Sequence, residues 1–173
     1  MPSSSTTSSA RHSTAEMFRN EVRPTDGDAI AHMVAACGVF NADEVAIARE
    51  LVDEHLAKGA SASGYHFLIA DGPAGIDGYT AYGPVPGAVN RWELYWIVVS
   101  PSARRSGLAK RLNRATEDAV RAVGGVMMVA ETSTLPAYAS ARAFYLSQAY
   151  RLLAEVPDWH DDGDGLAIFG KRL

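Results

Sequence analysis

The spacing of hydrophobic residues changes along the chain, and these changes predict the order of its elements. Apolar residues recur at helical spacing before residue 60, and short apolar runs bounded by Gly or Pro begin at residue 65. Thr25 or Asp26 can cap the first helix, and Gly59 is expected to end the second. Helices are predicted at about residues 26–37, 42–57, 105–123 and 139–148, and strands at 18–24, 65–71, 76–83, 91–100, 126–132, 151–156 and 166–173.

The strand pattern at residues 91–100 predicts the centre of the sheet. Its sequence, RWELYWIVVS, is apolar nearly throughout, which is typical of a strand covered on both faces. A helix and then the strand 126–132 follow, and this order predicts a parallel crossover. The expected fold class is therefore α/β, with a mixed, mostly antiparallel sheet that has one central parallel strand pair and about four flanking helices.

The helical spacing also assigns side chains to inner and outer faces. Leu56 of the second predicted helix and Val123 of the third are expected to face the core. Glu117 and Arg121 are expected to form an ion pair on the surface of the third helix, because they lie four residues apart.

The first seventeen residues differ in composition from the rest. Nine of residues 1–17 are Ser or Thr, and such a segment buries too little apolar surface to offset its ordering entropy. We expect a disordered leader at 1–17 and a single domain at 18–173. A transit peptide is the alternative, although the segment has one Arg and no apolar helical face.

Charge and cysteine content narrow the function classes. Sixteen Lys and Arg against twenty Asp and Glu give a formal charge of −4, which disfavours nucleic acid and weakly favours a cationic partner. Cys37 is the one cysteine and cannot form an internal disulfide, so we expect a buried residue in a cytoplasmic protein. No apolar run reaches the length of about 18 residues typical of a membrane span.

The segment VVSPSARRSGLAKRL (98–112) carries the clearest chemistry. A central strand ends, a short turn follows, and a helix begins, so unpaired N–H groups and the helix dipole point outward. Basic residues cluster there in an otherwise acidic chain, which suits a pyrophosphate. The phosphate loop GxxxxGK[ST] and the dinucleotide fingerprint GxGxxG are both missing. The pattern present is Arg104-x-x-Gly107-x-Ala109.

This pattern, the strand end at 97–101 and the later SARAFYLSQAY (140–150) occur in the order seen in one family. Over most of residues 18–173 the chain resembles the GNAT superfamily of acetyl-CoA-dependent N-acetyltransferases. The resemblance implies direct acetyl transfer from acetyl-CoA to a primary amine in a ternary complex, without a metal. It implies a small-molecule or peptide acceptor and leaves a homodimer open.

The resemblance also assigns cofactor-binding residues. The backbone of strand 91–100 should pair with the pantetheine arm, and the turn should hold the pyrophosphate. Tyr145 should face the departing thiol. Ala109 and the sequence at 148–150 depart from the commoner family pattern. The expected cofactor-binding residues are Ile97, Val98, Val99, Arg104, Arg105, Ser106, Gly107, Leu108, Ala109, Lys110 and Tyr145.

Three residues are candidates for catalysis. Glu93 lies in an apolar strand, where burial would raise its pKa toward that of a general base, although a salt-bridged or edge-exposed acid is the alternative. Glu131 ends the neighbouring predicted strand and is either a second candidate base or a loop-organising acid. Tyr145 is either the acid that serves the thiol or a core aromatic residue.

Other features remain open at the level of sequence. The acidic segment HDDGDG (160–165) is better explained as a hairpin turn than as a calcium loop, because position twelve would be Lys171. Trp96 is the aromatic residue most worth testing as a substrate contact, since it directly precedes Ile97, Val98 and Val99, which are expected to pair with the cofactor. Two alternative functions are a non-catalytic acyl-CoA sensor or structural module of the same fold, and a nucleotide-phosphate binder.

Overall fold

The computed structural model describes residues 18–173. The predicted leader, residues 1–17, lies outside the described residues. The helices are α1 (Asp26–Ala36), α2 (Ala42–Ser63), α3 (Leu108–Ala122) and α4 (Ala139–Ser147). The strands are β1 (His66–Gly72), β2 (Gly75–Pro84), β3 (Arg91–Val99), β4 (Met127–Ser133), β5 (Arg151–Asp161) and β6 (Asp164–Arg172).

All six strands form one mixed sheet in the order β1-β2-β3-β4-β6-β5. Its one parallel pair joins β3 and β4, and α3 makes the crossover between them. The predicted fold class is therefore confirmed. Pairing between β3 and β4 runs from Arg91–Met127 to Leu94–Ala130 and ends there, so the two strands separate over their C-terminal halves.

The helices cover opposite faces of the sheet. Phe67 and Ile69 of β1 pack in a core with α1 and α2, which contribute buried residues such as Ile30 and Val52. The intervening Leu68 packs with α3 on the other face, because alternate side chains of a strand point in opposite directions. Each face of the sheet thus has its own apolar core.

A β-bulge at Tyr95 interrupts this alternation in β3. Trp96 pairs with Ala81 and Leu94 pairs with Tyr82, so Tyr95 is an extra residue opposite β2. Tyr95 and Trp96 consequently both pack toward α1 and α2. Leu94 and Ile97 both face the α3 side.

Several predicted boundaries were wrong. The segment 18–24 forms only the single bridge Arg19–Ile69, because two ion pairs of Arg19, with Asp26 and Asp71, hold it instead. Gly59 kinks α2 at φ 75° without ending it, because the helix resumes and continues to Ser63.

The C-terminal hairpin is also longer than predicted. β5 continues past Pro157 to Asp161, and β6 begins at Asp164, so the acidic segment contributes to both strands and the turn between them.

Three side-chain placements also differ from expectation. Leu56 and Val123 are exposed by 39% and 65%. Val123 is the C-cap of α3, where the helix ends. Glu117 is only 3% exposed, although it does contact Arg121 as predicted. Its carboxylate accepts hydrogen bonds from Lys171 Nζ and Asn113 Nδ2 at 2.8 Å, and these donors offset the cost of burying the charge.

Within residues 18–173, no helix combines the length and the apolar character that crossing a bilayer requires. The same residues contain no group of three or more His, Cys, Asp or Glu side chains placed to hold a metal ion.

Candidate functional site

A cavity of about 300 Å³ lies at the C-terminal end of β3, where the strand passes into α3. Most of its lining comes from the strand-to-helix turn and the first turn of α3, and two residues come from α4 and the position after it. The lining residues are Val99, Ala103, Arg104, Arg105, Gly107, Leu108, Ala109, Lys110, Phe144 and Gln148.

Short-range hydrogen bonds shape this turn. Ser100 Oγ accepts from Ala103 N, and Ser106 Oγ donates to the Ala103 carbonyl at 2.7 Å. Arg105 and Gly107 both take left-handed conformations, with φ of 64° and 76°. The helix therefore begins at Leu108, three residues later than predicted, because the turn that precedes it is not helical.

The turn is electropositive and rich in free donors. Gly107 is the N-cap of α3 and has no side chain to accept from the first-turn N–H groups. Leu108 N donates to Ser106 Oγ at 3.3 Å, and the N–H groups that follow it in the first turn remain for a ligand. The dipole of α3 and three basic side chains, Arg104, Arg105 and Lys110, reinforce the positive potential. No acidic residue lines the cavity, whose lining comes wholly from the described residues. This arrangement can bind an anion, and a diphosphate in particular.

The separation of β3 from β4 leaves an unpaired strand edge that leads into the cavity. Among residues 18–173, no strand pairs with the β4-facing side of β3 after Leu94. Val99, at the end of this edge, lines the cavity. An extended ligand with amide groups can therefore hydrogen-bond to β3 as an added strand while its charged end lies at the turn.

The two candidate acids lie on one face of the sheet. Glu93 is opposite Val129 in the parallel register, and Glu131 follows Val129 by two positions on the same face. Partial burial, followed by the nearby charge of Glu131, raises the pKa of Glu93 to about 7. A carboxylate with this pKa can accept a proton near neutral pH.

Tyr145 lies on α4 beside the cavity without lining it. It is 5% exposed and packs on Tyr150 and Phe169, with ring centroids 5.6 and 5.5 Å away. Burial raises the pKa of Tyr145 to about 12, so its hydroxyl keeps its proton at neutral pH. Its neighbour Phe144 and residue Gln148, one turn on, do reach the cavity.

The structure brings together most of the residues predicted from the sequence, but not all. Seven of the expected cofactor-binding residues line the cavity, whereas Ile97, Val98, Ser106 and Tyr145 do not. Val98 points into the core under α1 and α2, although its backbone is on β3. Ala103, Phe144 and Gln148 were not predicted, because apolar and amide side chains in a turn or helix carry no distinctive pattern.

The separating parallel pair and the basic turn define an α/β protein with a basic, donor-rich junction at its central strand. The model of the acetyltransferase (GNAT) family matches residues 33–150, and the chain belongs to this family. The resemblance to the GNAT superfamily that the sequence motifs indicated is thereby confirmed. No curated protein matches the chain in sequence at a significant level.

Solved structures show the same fold. A protein from Desulfovibrio desulfuricans assigned to the GNAT acetyltransferases is 37% identical, with a TM-score of 0.86 over 90% of this chain and 97% of its own. An aminoglycoside 6'-N-acetyltransferase complexed with coenzyme A is 16% identical, with a TM-score of 0.69 over 90% and 96%. The ribosomal-protein-S18-alanine N-acetyltransferase of Escherichia coli is also 16% identical, with a TM-score of 0.69 over 90% and 92%.

Proposed function

We propose that this protein is an N-acetyltransferase that moves the acetyl group of acetyl-CoA to a primary amine within a ternary complex. The observation that carries the proposal is the junction of β3 and α3, where an unpaired strand edge leads into a basic cavity beside unpaired helix amides. A diphosphate with an amide-containing arm matches both parts of this junction.

The proposed cofactor contacts follow from this geometry. The amides from Arg105 to Lys110 hold the diphosphate, with Arg104 adding charge. The backbone of Ile97, Val98 and Val99 pairs with the pantetheine arm. Acetyl-CoA supplies an activated thioester, and a backbone N–H of β3 polarises its carbonyl group.

In the proposed reaction, Glu93 accepts a proton from the acceptor ammonium, directly or through a water. The neutral nitrogen then bonds to the acetyl carbon as the carbon–sulfur bond breaks. Glu93, having released the first proton to solvent, takes the second proton of the nitrogen, and Tyr145 donates its hydroxyl proton to the leaving sulfur. A proton returned from Glu93 through solvent then restores the Tyr145 hydroxyl, so that one proton is released overall. Because the pKa of Glu93 is near 7, the carboxylate is available at neutral pH. The cytoplasm, the source of acetyl-CoA in this proposal, also suits the lone Cys37.

Parallel calorimetric titrations with acetyl-CoA, CoA and ATP test the cofactor assignment. We expect acetyl-CoA and CoA to bind with similar affinity and ATP to bind at least tenfold more weakly, because ATP has no arm to pair with β3. Equal binding of ATP would instead support a general nucleotide-phosphate binder.

A further inference from the structure

Three aromatic side chains from separate segments meet on the side of the sheet that α1 and α2 cover. Phe40, between α1 and α2, contacts Trp96 of β3 and Tyr138 after β4, with ring centroids 5.2 and 6.4 Å apart. Each of the three residues is half-buried. We call Phe40, Trp96 and Tyr138 the aromatic wall.

Hydrogen bonds of Glu44 hold the aromatic wall in place. The Tyr138 hydroxyl donates to Glu44 Oε1 at 2.7 Å, and this bond ties the turn after β4 to the first turn of α2. The other carboxylate oxygen of Glu44 accepts from Asn41 N at 2.8 Å in a capping box. A wall fixed in this way needs little further ordering to receive a flat ligand.

The bulge in β3 brings the aromatic wall and the candidate base to the same side of the sheet. In a regular strand, residues three positions apart such as Glu93 and Trp96 point to opposite faces, but the bulge at Tyr95 turns both to the same side. Three residues of regular strand span about 10 Å, and the bulge shortens this, so an acceptor that joins an amino group to a ring by a short linker can reach toward both Glu93 and Trp96.

The charges around this site suit one ammonium group. Glu93 and Glu131 repel each other when both are ionised. The other nearby carboxylates already have partners, since Glu44 accepts from Tyr138 and Asn41, and Asp164 accepts from Ser133 Oγ. These donors are neutral and leave both carboxylates charged, but they occupy their oxygens. Among residues 18–173, no side-chain hydrogen bond engages Glu93 or Glu131, so the acceptor's amino group is best placed beside Glu93.

We propose that the acceptor is a monoamine with an aromatic body, whose ring packs on Phe40, Trp96 and Tyr138 while its amino group reaches Glu93. This inference rests on the proposed N-acetyltransferase function and names the acceptor class for the same site.

A panel of amines assayed for thiol release from acetyl-CoA tests the inference. We expect phenethylamine and tryptamine to exceed butylamine and spermidine in kcat/KM by about tenfold or more, because a phenyl ring gains apolar burial on the wall. A preference for spermidine or kanamycin would overturn the inference and leave the proposed function standing. Tight acetyl-CoA binding with no transfer to any amine would overturn both.

Two tryptophans on β3 offer a matched pair of variants. Trp96→Leu, like Phe40→Leu, should raise the KM for phenethylamine about tenfold and leave that for butylamine unchanged. Trp92→Leu is the control, because Trp92 packs on His66 and Tyr82 away from the wall. The KM for acetyl-CoA, measured in each variant, shows whether β3 still binds the cofactor. If the ratio of phenethylamine to butylamine activity is the same in wall and control variants, the wall does not bind the acceptor.

Discussion

Glu93 can be tested through the pH dependence of the reaction. Since its pKa is raised to about 7 and the active form is the carboxylate, kcat/KM should rise with pH through that value. Glu93→Gln should abolish this acidic limb and lower kcat/KM about 10²-fold, with acetyl-CoA binding intact. Glu131→Gln should have a smaller effect on rate and move the limb to lower pH, because it removes the like charge that raises the pKa. A reversed result would identify Glu131 as the base.

Stability gives a second measure of the same carboxyl group. Its pKa rises from 4.5 in the unfolded chain to about 7 in the folded protein, so ionisation costs folded stability as pH increases across that interval. Glu93→Gln removes this cost. The melting temperature of Glu93→Gln, relative to that of the parent protein, should therefore be higher at about pH 8 than at about pH 4. An equal difference at both pH values would show that Glu93 titrates normally.

Tyr145 and Tyr150 form a matched pair of buried hydroxyl groups. If Tyr145 protonates the departing sulfur, Tyr145→Phe should lower kcat by roughly 10²-fold and leave acetyl-CoA affinity unchanged. Tyr150→Phe removes a hydroxyl that already donates to Asn113 Oδ1 at 3.3 Å, and it should leave kcat nearly unchanged. Equal kcat values in the two variants and the parent would assign Tyr145 to the core.

At the scale of the elements, the start of α3 determines cofactor binding. Gly107 has φ 76°, and no atom lies within 4 Å of the point that a Cβ would occupy, so a side chain there would project into the space that a diphosphate needs. Gly107→Val should weaken acetyl-CoA binding by at least about 2 kcal/mol, as calorimetry would show, because it blocks charge-assisted hydrogen bonds.

Gly124, just beyond the C-terminal end of α3, provides the control. It has φ 84° and is equally open, so Gly124→Val introduces similar backbone strain far from the turn. If the two variants have equal melting temperatures but Gly107→Val binds acetyl-CoA more weakly than Gly124→Val, the loss comes from the blocked site and not from backbone strain. If both variants bind acetyl-CoA like the parent protein, the phosphate assignment is wrong.

For the whole molecule, Arg19 fastens the N-terminal segment to the body. Its guanidinium contacts Asp26 at 2.7 Å and Asp71 at 2.9 Å, and Asp26 is nearly inaccessible. Arg19→Ala leaves that carboxylate without its charged partner and should cost about 2 kcal/mol, or roughly 4–8 °C in melting temperature.

Deletion of residues 1–16, which have no apolar anchor, should change neither melting temperature nor acetyl-CoA affinity. A comparable loss of melting temperature or of acetyl-CoA affinity after the deletion would contradict the predicted division between a leader at 1–17 and a domain at 18–173.

Local patterns predicted most of the fold, because β3 is a nearly continuous apolar run, α3 has helical spacing and β4 is a short apolar run after two glycines. The bulge at Tyr95 was not predictable, since one extra residue leaves an apolar run looking the same. The burial of Glu117 depends on Lys171, which is 54 residues away. Phe40 joins Trp96 only through the packing of α1 and α2 on the sheet. Contacts between distant segments thus account for what the sequence did not reveal about the site.

Amine-dependent release of CoA thiol from acetyl-CoA, measured with the full chain, tests the central claim most directly. We predict release only when an acceptor amine is present, with one acetylated amine formed for each thiol, because the transfer is direct. Saturable binding of acetyl-CoA without thiol release for any amine in the panel would contradict catalysis and identify the protein as an acyl-CoA-binding module.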